Sequence, residues 1–310
     1  MNSKKSQTNA PLIGSFSTRT LAIGCLIVVA AAYSLLSVGS RLLAEGFMPM
    51  TQVYMRVALG TFILLALLRK KLRWSKIISM SSRDFLILSS MGTIGFSIAV
   101  YFVTLGALNA KLVNVAIIFS SVPFFSYLYA YIFLKKPLNA KLIGLLMVSL
   151  IGIAIVSTKS FIPHLAVFGA GEWFTLLATA TMAWFYVGRK LLSTHLNTSE
   201  ITLIVMVIAT ITAVLFAFIR GETFTLSAFT NPHVLWGLLI GGGMNALVNP
   251  IEIFAFNHLD AVTGSQILLL DTVFALLFGY LFYQEIITFP EVIGGLIVIS
   301  SVYLANKLNK

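Results

Sequence analysis

Along its 310 residues the chain passes again and again through stretches of about 20 mostly apolar residues, joined by connections too short to fold by themselves. A helix needs roughly 20 such residues to cross ~30 Å of hydrocarbon, because every backbone N–H and C=O must be bonded within the segment there. The stretches fall near 21–43, 51–68, 85–108, 112–134, 142–157, 173–191, 201–219, 235–258, 261–283 and 292–305. This layout predicts an all-α membrane protein of ten transmembrane helices. Only 10% of residues are charged and the mean hydropathy is +0.96, against about 25% charged residues in a soluble domain.

Twenty-one Lys+Arg against ten Asp+Glu leave a formal charge of +11. In a soluble protein that excess would point to nucleic acid. Here the basic residues lie between apolar runs and sort by side, which excludes that reading. Lys4, Lys5 and Arg19, then Arg69, Lys70, Lys71, Arg73, Lys76 and Arg83, then Lys135, Lys136, Lys141, Arg189, Lys190, Lys307 and Lys310 share one face. Positive charge is retained in the cytoplasm, so both termini are expected inside a multi-pass protein of the cell (inner or plasma) membrane. Arg41, Arg56, Lys111, Lys159 and Arg220 belong to the other face or to the helices. Lys4, Lys5 and Arg19 ahead of a run reaching Ala30-Ala31-Ala32 also have the layout of a secretory leader. Apolar character continues to Leu43, which favours a retained span.

The single Cys25 excludes an intrachain disulfide and a cysteine-based metal site. His164, His195, His233 and His258 lie at or between span ends without metal-ligand spacing. A phosphate-binding loop, a nucleophile elbow and an H-E-x-x-H helix are all absent from the sequence. No cofactor is expected, and neither ATP-driven transport nor hydrolase chemistry has a motif to stand on.

Stretches about 150 residues apart resemble one another in order. Ala130-Tyr131-Ile132-Phe133 returns as Gly279-Tyr280-Leu281-Phe282, Ile143-Gly144-Leu145 as Ile293-Gly294-Gly295, and Ala107-Leu108-Asn109-Ala110 as His258-Leu259-Asp260-Ala261. Five spans per half is an odd number, so the second half enters the membrane the other way up. The expected division is a cytoplasmic segment 1–20, a first repeat 21–157, an inverted second repeat 168–306 and a cytoplasmic tail 307–310. Inverted repeats place substrate near the midplane between the halves.

Arg56 early in the second span, Pro123 in the fourth, Leu269-Leu270-Asp271-Thr272 in the ninth, Gly279, Gln284-Glu285 and Gly294-Gly295 together resemble the ten-helix EamA-type branch of the drug/metabolite transporter superfamily. The resemblance covers nearly the whole chain and implies a secondary transporter, exporting more often than importing. Three positions depart from the family pattern. Lys135-Lys136 stands opposite Glu285, Thr272 replaces a usual proline, and Tyr33-Ser34 stands where Trp-Gly is frequent.

A charge at the centre of a membrane helix costs roughly 2.5–3.5 kcal/mol on insertion scales, so each one asks for a reason. Asp271 is the deepest acid; its repeat equivalent is Val122. It is either a structural acid bonded to a neighbouring helix or a substrate-cation contact or proton-coupling carboxylate. Glu252 shares a helical face with Gly242, Asn245 and Asn249, beside Pro250. On the matching third span Thr93, Ser97, Tyr101 and Thr104 share a face. The two polar stripes read either as walls of one cavity or as helix-packing groups. Arg56 either snorkels to the interface, pairs with Asp271 or Glu252, or holds a substrate carboxylate. Arg41 reads as interfacial, and Tyr33, Ser37, Trp184 and Tyr186 as pocket or belt residues. Gly241-Gly242-Gly243 reads as a close-packing site or a hinge.

The site set is therefore Asp271, Glu252, Asn249, Asn245, Tyr101, Ser97 and Arg56. The expected function is alternating-access transport, without ATP, of a small amphipathic or zwitterionic solute such as an amino acid, by a monomer or homodimer. Protons are the candidate coupling ion and the lipid bilayer the other partner. A membrane-embedded lipid enzyme and a channel or scaffold are the competing classes.

Overall fold

The computed structural model describes residues 18–110, 115, 118–137, 139–161, 169–223, 226–284 and 286–308. Residues 1–17 of the expected amino-terminal segment, Lys111, His164, Glu285 and Lys310 lie outside the described residues, as do the side chains of Ser37 and Arg41.

Among the described residues the chain is helical, with no strand. The helices are α1 (Thr18–Leu43), α2 (Pro49–Leu68), α3 (Trp74–Ile78), α4 (Ser82–Ser90), α5 (Ala99–Asn109), α6 (Val122–Leu134), α7 (Ala140–Thr158), α8 (Ala170–Leu191), α9 (Thr198–Ile219), α10 (Pro232–His258), α11 (Ala261–Leu268), α12 (Asp271–Tyr283) and α13 (Phe289–Leu308). A π-helical stretch, Met91–Ile98, joins α4 to α5, so the three form one rod. Eight helical stretches among the described residues are long and apolar enough to cross a membrane. The short α6 and the 22-residue α8, which carries Glu172, Arg189 and Lys190, are not among the eight.

Local chemistry starts these helices where the sequence allows. Proline opens α2 and α10, where its missing N–H costs no bond. Asn197 and Glu200 form a reciprocal capping box on α9, and Asp260 accepts from the Val262 N–H to cap α11. The surface is inside-out relative to a soluble protein. Phe62, Phe218 and Leu226 are exposed while Thr51, Ser97, Thr175 and Ser149 are fully buried, as expected where lipid is the solvent.

The packing follows an exchange rule. α1 lies on α10 much as the α4–α5 rod lies on α8, and α2 lies on α10 as that rod lies on α9. α1 meets α11 and α12 as α6 meets α8, while α2 with α9, α6 with α11, and α7 with α13 pair directly. Small residues set the closest approaches. A methyl group on Gly152 would sit 2.9 Å from the Gly294 carbonyl, and Ser149 and Ser301 hydrogen-bond at 2.6 Å across the same α7–α13 contact.

Polar tethers collect at the two ends of the bundle. At one end Arg73, after α2, grips Glu200 at the start of α9 with two bonds of 2.8 Å. Asp84 of α4 accepts from Ser193 after α8, Lys190 donates to the Asn257 carbonyl at 3.0 Å, and Lys136 after α6 pairs with Asp260 ahead of α11. At the other end Glu222 accepts from the Thr51 N–H at 2.8 Å, Glu45 meets His233 at 3.1 Å and Lys159 meets Glu291 at 3.5 Å.

Two interruptions matter for the site. Leu269-Leu270 is a turn between α11 and α12, so the ninth apolar run, expected as one helix, is two. A corresponding turn at Ser120-Ser121 precedes α6. α6 and α12 are each 13 residues long, and each is followed by a residue in the left-handed conformation, Lys135 (φ 53°) and Gln284 (φ 54°).

Candidate functional site

Asp271 is the first residue of α12, immediately after the turn. The expected mid-helix acid is thus a helix-terminal one, where the helix dipole favours negative charge. Its side chain accepts from Thr272 Oγ1 at 3.3 Å, and its main-chain carbonyl accepts from Ser34 Oγ of α1 at 2.7 Å. The residue is half-buried.

Glu252 reaches the same region from α10 and is fully buried. Tyr33 of α1 and Tyr186 of α8 are its polar neighbours, and Asp271 lies near enough to both tyrosines to act on them electrostatically. Neither Glu252 oxygen accepts a hydrogen bond of normal length and angle. Phe256, one turn along α10, stacks on the Tyr186 ring with centroids 4.4 Å apart and planes 12° apart. Gly264 of α11 makes room for Phe256: a methyl group there would lie 2.9 Å from Cδ1 and Cζ of that ring. Helices α1, α8, α10 and α12 therefore bring Tyr33, Ser34, Tyr186, Glu252 and Asp271 together.

The remaining expected site residues lie elsewhere or are occupied. Asn245 donates to the Gly241 carbonyl at 2.7 Å and Asn249 to the Asn245 carbonyl at 3.0 Å, so both amides are used within α10. Ser97 donates to the Ala209 carbonyl of α9 at 2.7 Å. Tyr101 packs on Phe216 of α9, with the Arg220 guanidinium 5.7 Å from its ring centroid. Thr93 and Thr104 bond within their own rod. Ser97 and Tyr101 thus face α9 in helix packing. Arg56 is buried with its stem against Gly241, and among the described ion pairs none joins it to Asp271 or Glu252. Gly241 and Gly242 are close-packing positions against α2, whereas a methyl group on Gly243 would meet nothing. Trp184 donates to Ser90 at 3.0 Å and packs edgewise on Tyr129 and Phe133.

Sequence reading passed over Ser126 and Gln266, which are almost completely buried on the paired helices α6 and α11 without a side-chain hydrogen-bond partner. A lone amide deep in an apolar run was the available signal at Gln266. No three His, Cys, Asp or Glu side chains among the described residues converge as metal ligands. The arrangement offers two carboxyls, two phenols and an aromatic wall, a set suited to holding a solute.

Comparison with known proteins agrees with this membrane-bundle layout. The EamA-like transporter family matches residues 20–158 and again 169–307. The pseudopaline exporter CntI of Pseudomonas aeruginosa strain UCBPP-PA14 is 25% identical over 295 residues, spanning 93% of this chain and 97% of its own. The pseudopaline exporter CntI of strain PAO1 is 24% identical over the same shares. A solved crystal structure superposes with a TM-score of 0.74 over 96% of this chain and 100% of its own, at 13% identity, a likeness of fold. The doubled family match covers most of both halves, and the chain belongs to the EamA-like transporter family, a multi-pass membrane transporter and not an enzyme.

Proposed function

We propose that this chain is a ten-span secondary transporter that exports a small metabolite, such as an amino acid or related amphipathic solute, across the cytoplasmic membrane by alternating access without ATP. The observation that carries this reading is the Glu252–Asp271 pair with Tyr33 and Tyr186, built from helices of both halves beside the turn that divides α11 from α12. Discontinuous helices at such depth are the usual frame of a transport site.

The division into repeats 21–157 and 168–306 of opposite orientation is supported by the exchanging pairs of helices, the paired turns at 120–121 and 269–270, and the left-handed residues that close α6 and α12. The end that gathers Arg73, Lys136 and Lys190 is assigned to the cytoplasm, with both termini, because positive charge resists translocation. At that end α6 and α11 pack together and Lys136 pairs with Asp260, which supports reading this arrangement as closed on the cytoplasmic side. Export is supported by the names of the two curated relatives. A proton taken from the outer water by the vacated carboxyl pair would neutralise it for the return step.

Reconstituted vesicles test this. Labelled amino acids and amines should show saturable, ATP-independent flux that Asp271→Asn and Glu252→Gln each reduce at least tenfold, with thermal stability retained. Flux linear in concentration, or both variants transporting normally, would contradict the reading.

A further inference from the structure

Resting on that reading of the site, we infer that the transported solute is an organic cation, held by an ammonium-type group between Glu252, Asp271 and the two tyrosine rings. Among the described residues no ion pair joins a basic side chain to Glu252 or Asp271; the pairs are Arg73–Glu200, Lys136–Asp260, Lys159–Glu291 and His233–Glu45. Lys190, the nearest lysine in sequence to Tyr186, is engaged with the Asn257 carbonyl toward the end of the bundle. Arg56 sits against Gly241, eleven residues or about 16 Å along α10 from Glu252.

A carboxylate buried in an apolar bundle is tolerated only when paired or neutralised. Among the described residues Tyr33 and Tyr186 are the polar neighbours of Glu252, and neither of its oxygens accepts a hydrogen bond of normal length and angle. A bound group that both donates hydrogen bonds and carries positive charge supplies the pairing that the ionised carboxyl lacks, and a proton neutralises it when that group is absent. Tyr186, with one face stacked on Phe256, and Tyr33 put aromatic rings beside Glu252, and such rings favour a cation over a neutral or anionic group. A bare metal ion is a poor fit, since hard cations take six or more oxygen ligands and no three acidic, His or Cys side chains converge among the described residues. Tyr33 and Asp271 each keep part of their surface open.

The test uses the full purified chain and three probes sharing one carbon frame: 2-phenylethylamine, its N-acetyl amide and 3-phenylpropionate. Thermal unfolding should shift upward with the amine alone, and Glu252→Gln and Asp271→Asn should each weaken the amine's affinity at least tenfold. Glu252→Asp keeps the charge and supplies a second variant if Glu252→Gln fails to fold. Equal stabilisation by the amide or the carboxylate, no stabilisation by the amine, or amine affinity unchanged in the charge-removing variants would each overturn the inference. Amine binding that needs both acids, in vesicles that move no solute, would sink the transport reading and leave the cation site standing. Saturable, carboxyl-dependent flux of neutral or anionic solutes alone would do the reverse.

Discussion

Glu252 and Asp271 are both acids in apolar runs, yet the fold accommodates them by different means. Asp271 gains a helix N-terminus and partial exposure, because the chain turns just before it. Glu252 gains neither and is surrounded by aromatic side chains whose positions depend on one another. Gly264 is where that dependence is most exposed to test, because any side chain there collides with Phe256 and through it moves Tyr186. Gly264→Ala should lower flux about tenfold with the protein still folded, since small misplacements of binding groups cost heavily. Unchanged flux would show that the stack does not position the site. Reading the sequence residue by residue found both acids because charge is conspicuous in an apolar run. It grouped Ser97 and Tyr101 with them because a polar stripe looks the same whether it faces a cavity or, as here, a neighbouring helix carbonyl and ring.

At the scale of the helices, hydropathy located the eight described stretches long and apolar enough to cross a membrane and missed the interruptions within them. Leu269-Leu270 is as apolar as the flanking turns, so nothing in composition separates α11 from α12. The π-helical stretch Met91–Ile98 was equally silent, although Gly92 and Gly95 let it approach α9 and α8 closely. Tethers between helix ends were also hidden, because they join positions far apart in sequence. The strongest is Arg73 on Glu200, where a half-exposed guanidinium meets a fully buried carboxylate. Removing the Arg73 side chain leaves that carboxylate buried with only the backbone N–H groups of Asn197 and of position 73 as donors. Arg73→Ala should lower the melting temperature by a few degrees, less than the loss of one partner of a wholly buried pair would. In a double-mutant cycle, adding Arg73→Ala to Glu200→Ala should cost little more, and full additivity in thermal unfolding would show that the two do not couple.

Across the whole molecule, hydrophobicity supports a membrane bundle, and the proposed inverted repeat turns a bundle into a carrier. The repeat was visible in sequence as short matches about 150 residues apart. What the fold adds is a pair of packed helices, α6 and α11, latched by Lys136 and Asp260 at the basic end. If the site is reached alternately from both sides, that latch must open for the inner side. Ser34 is partly exposed beside Asp271, and replacing the lone Cys25 gives a clean background for a reporter there. The most direct measurement is labelling of Ser34→Cys by a membrane-impermeant thiol reagent from each face, before and after tethering position 136 to position 260. The chain free to move should label from both faces, and the tethered chain from the outer face only. Labelling from both faces in the tethered chain, or from the cytoplasmic face alone, would contradict a single site exposed in turn to each side.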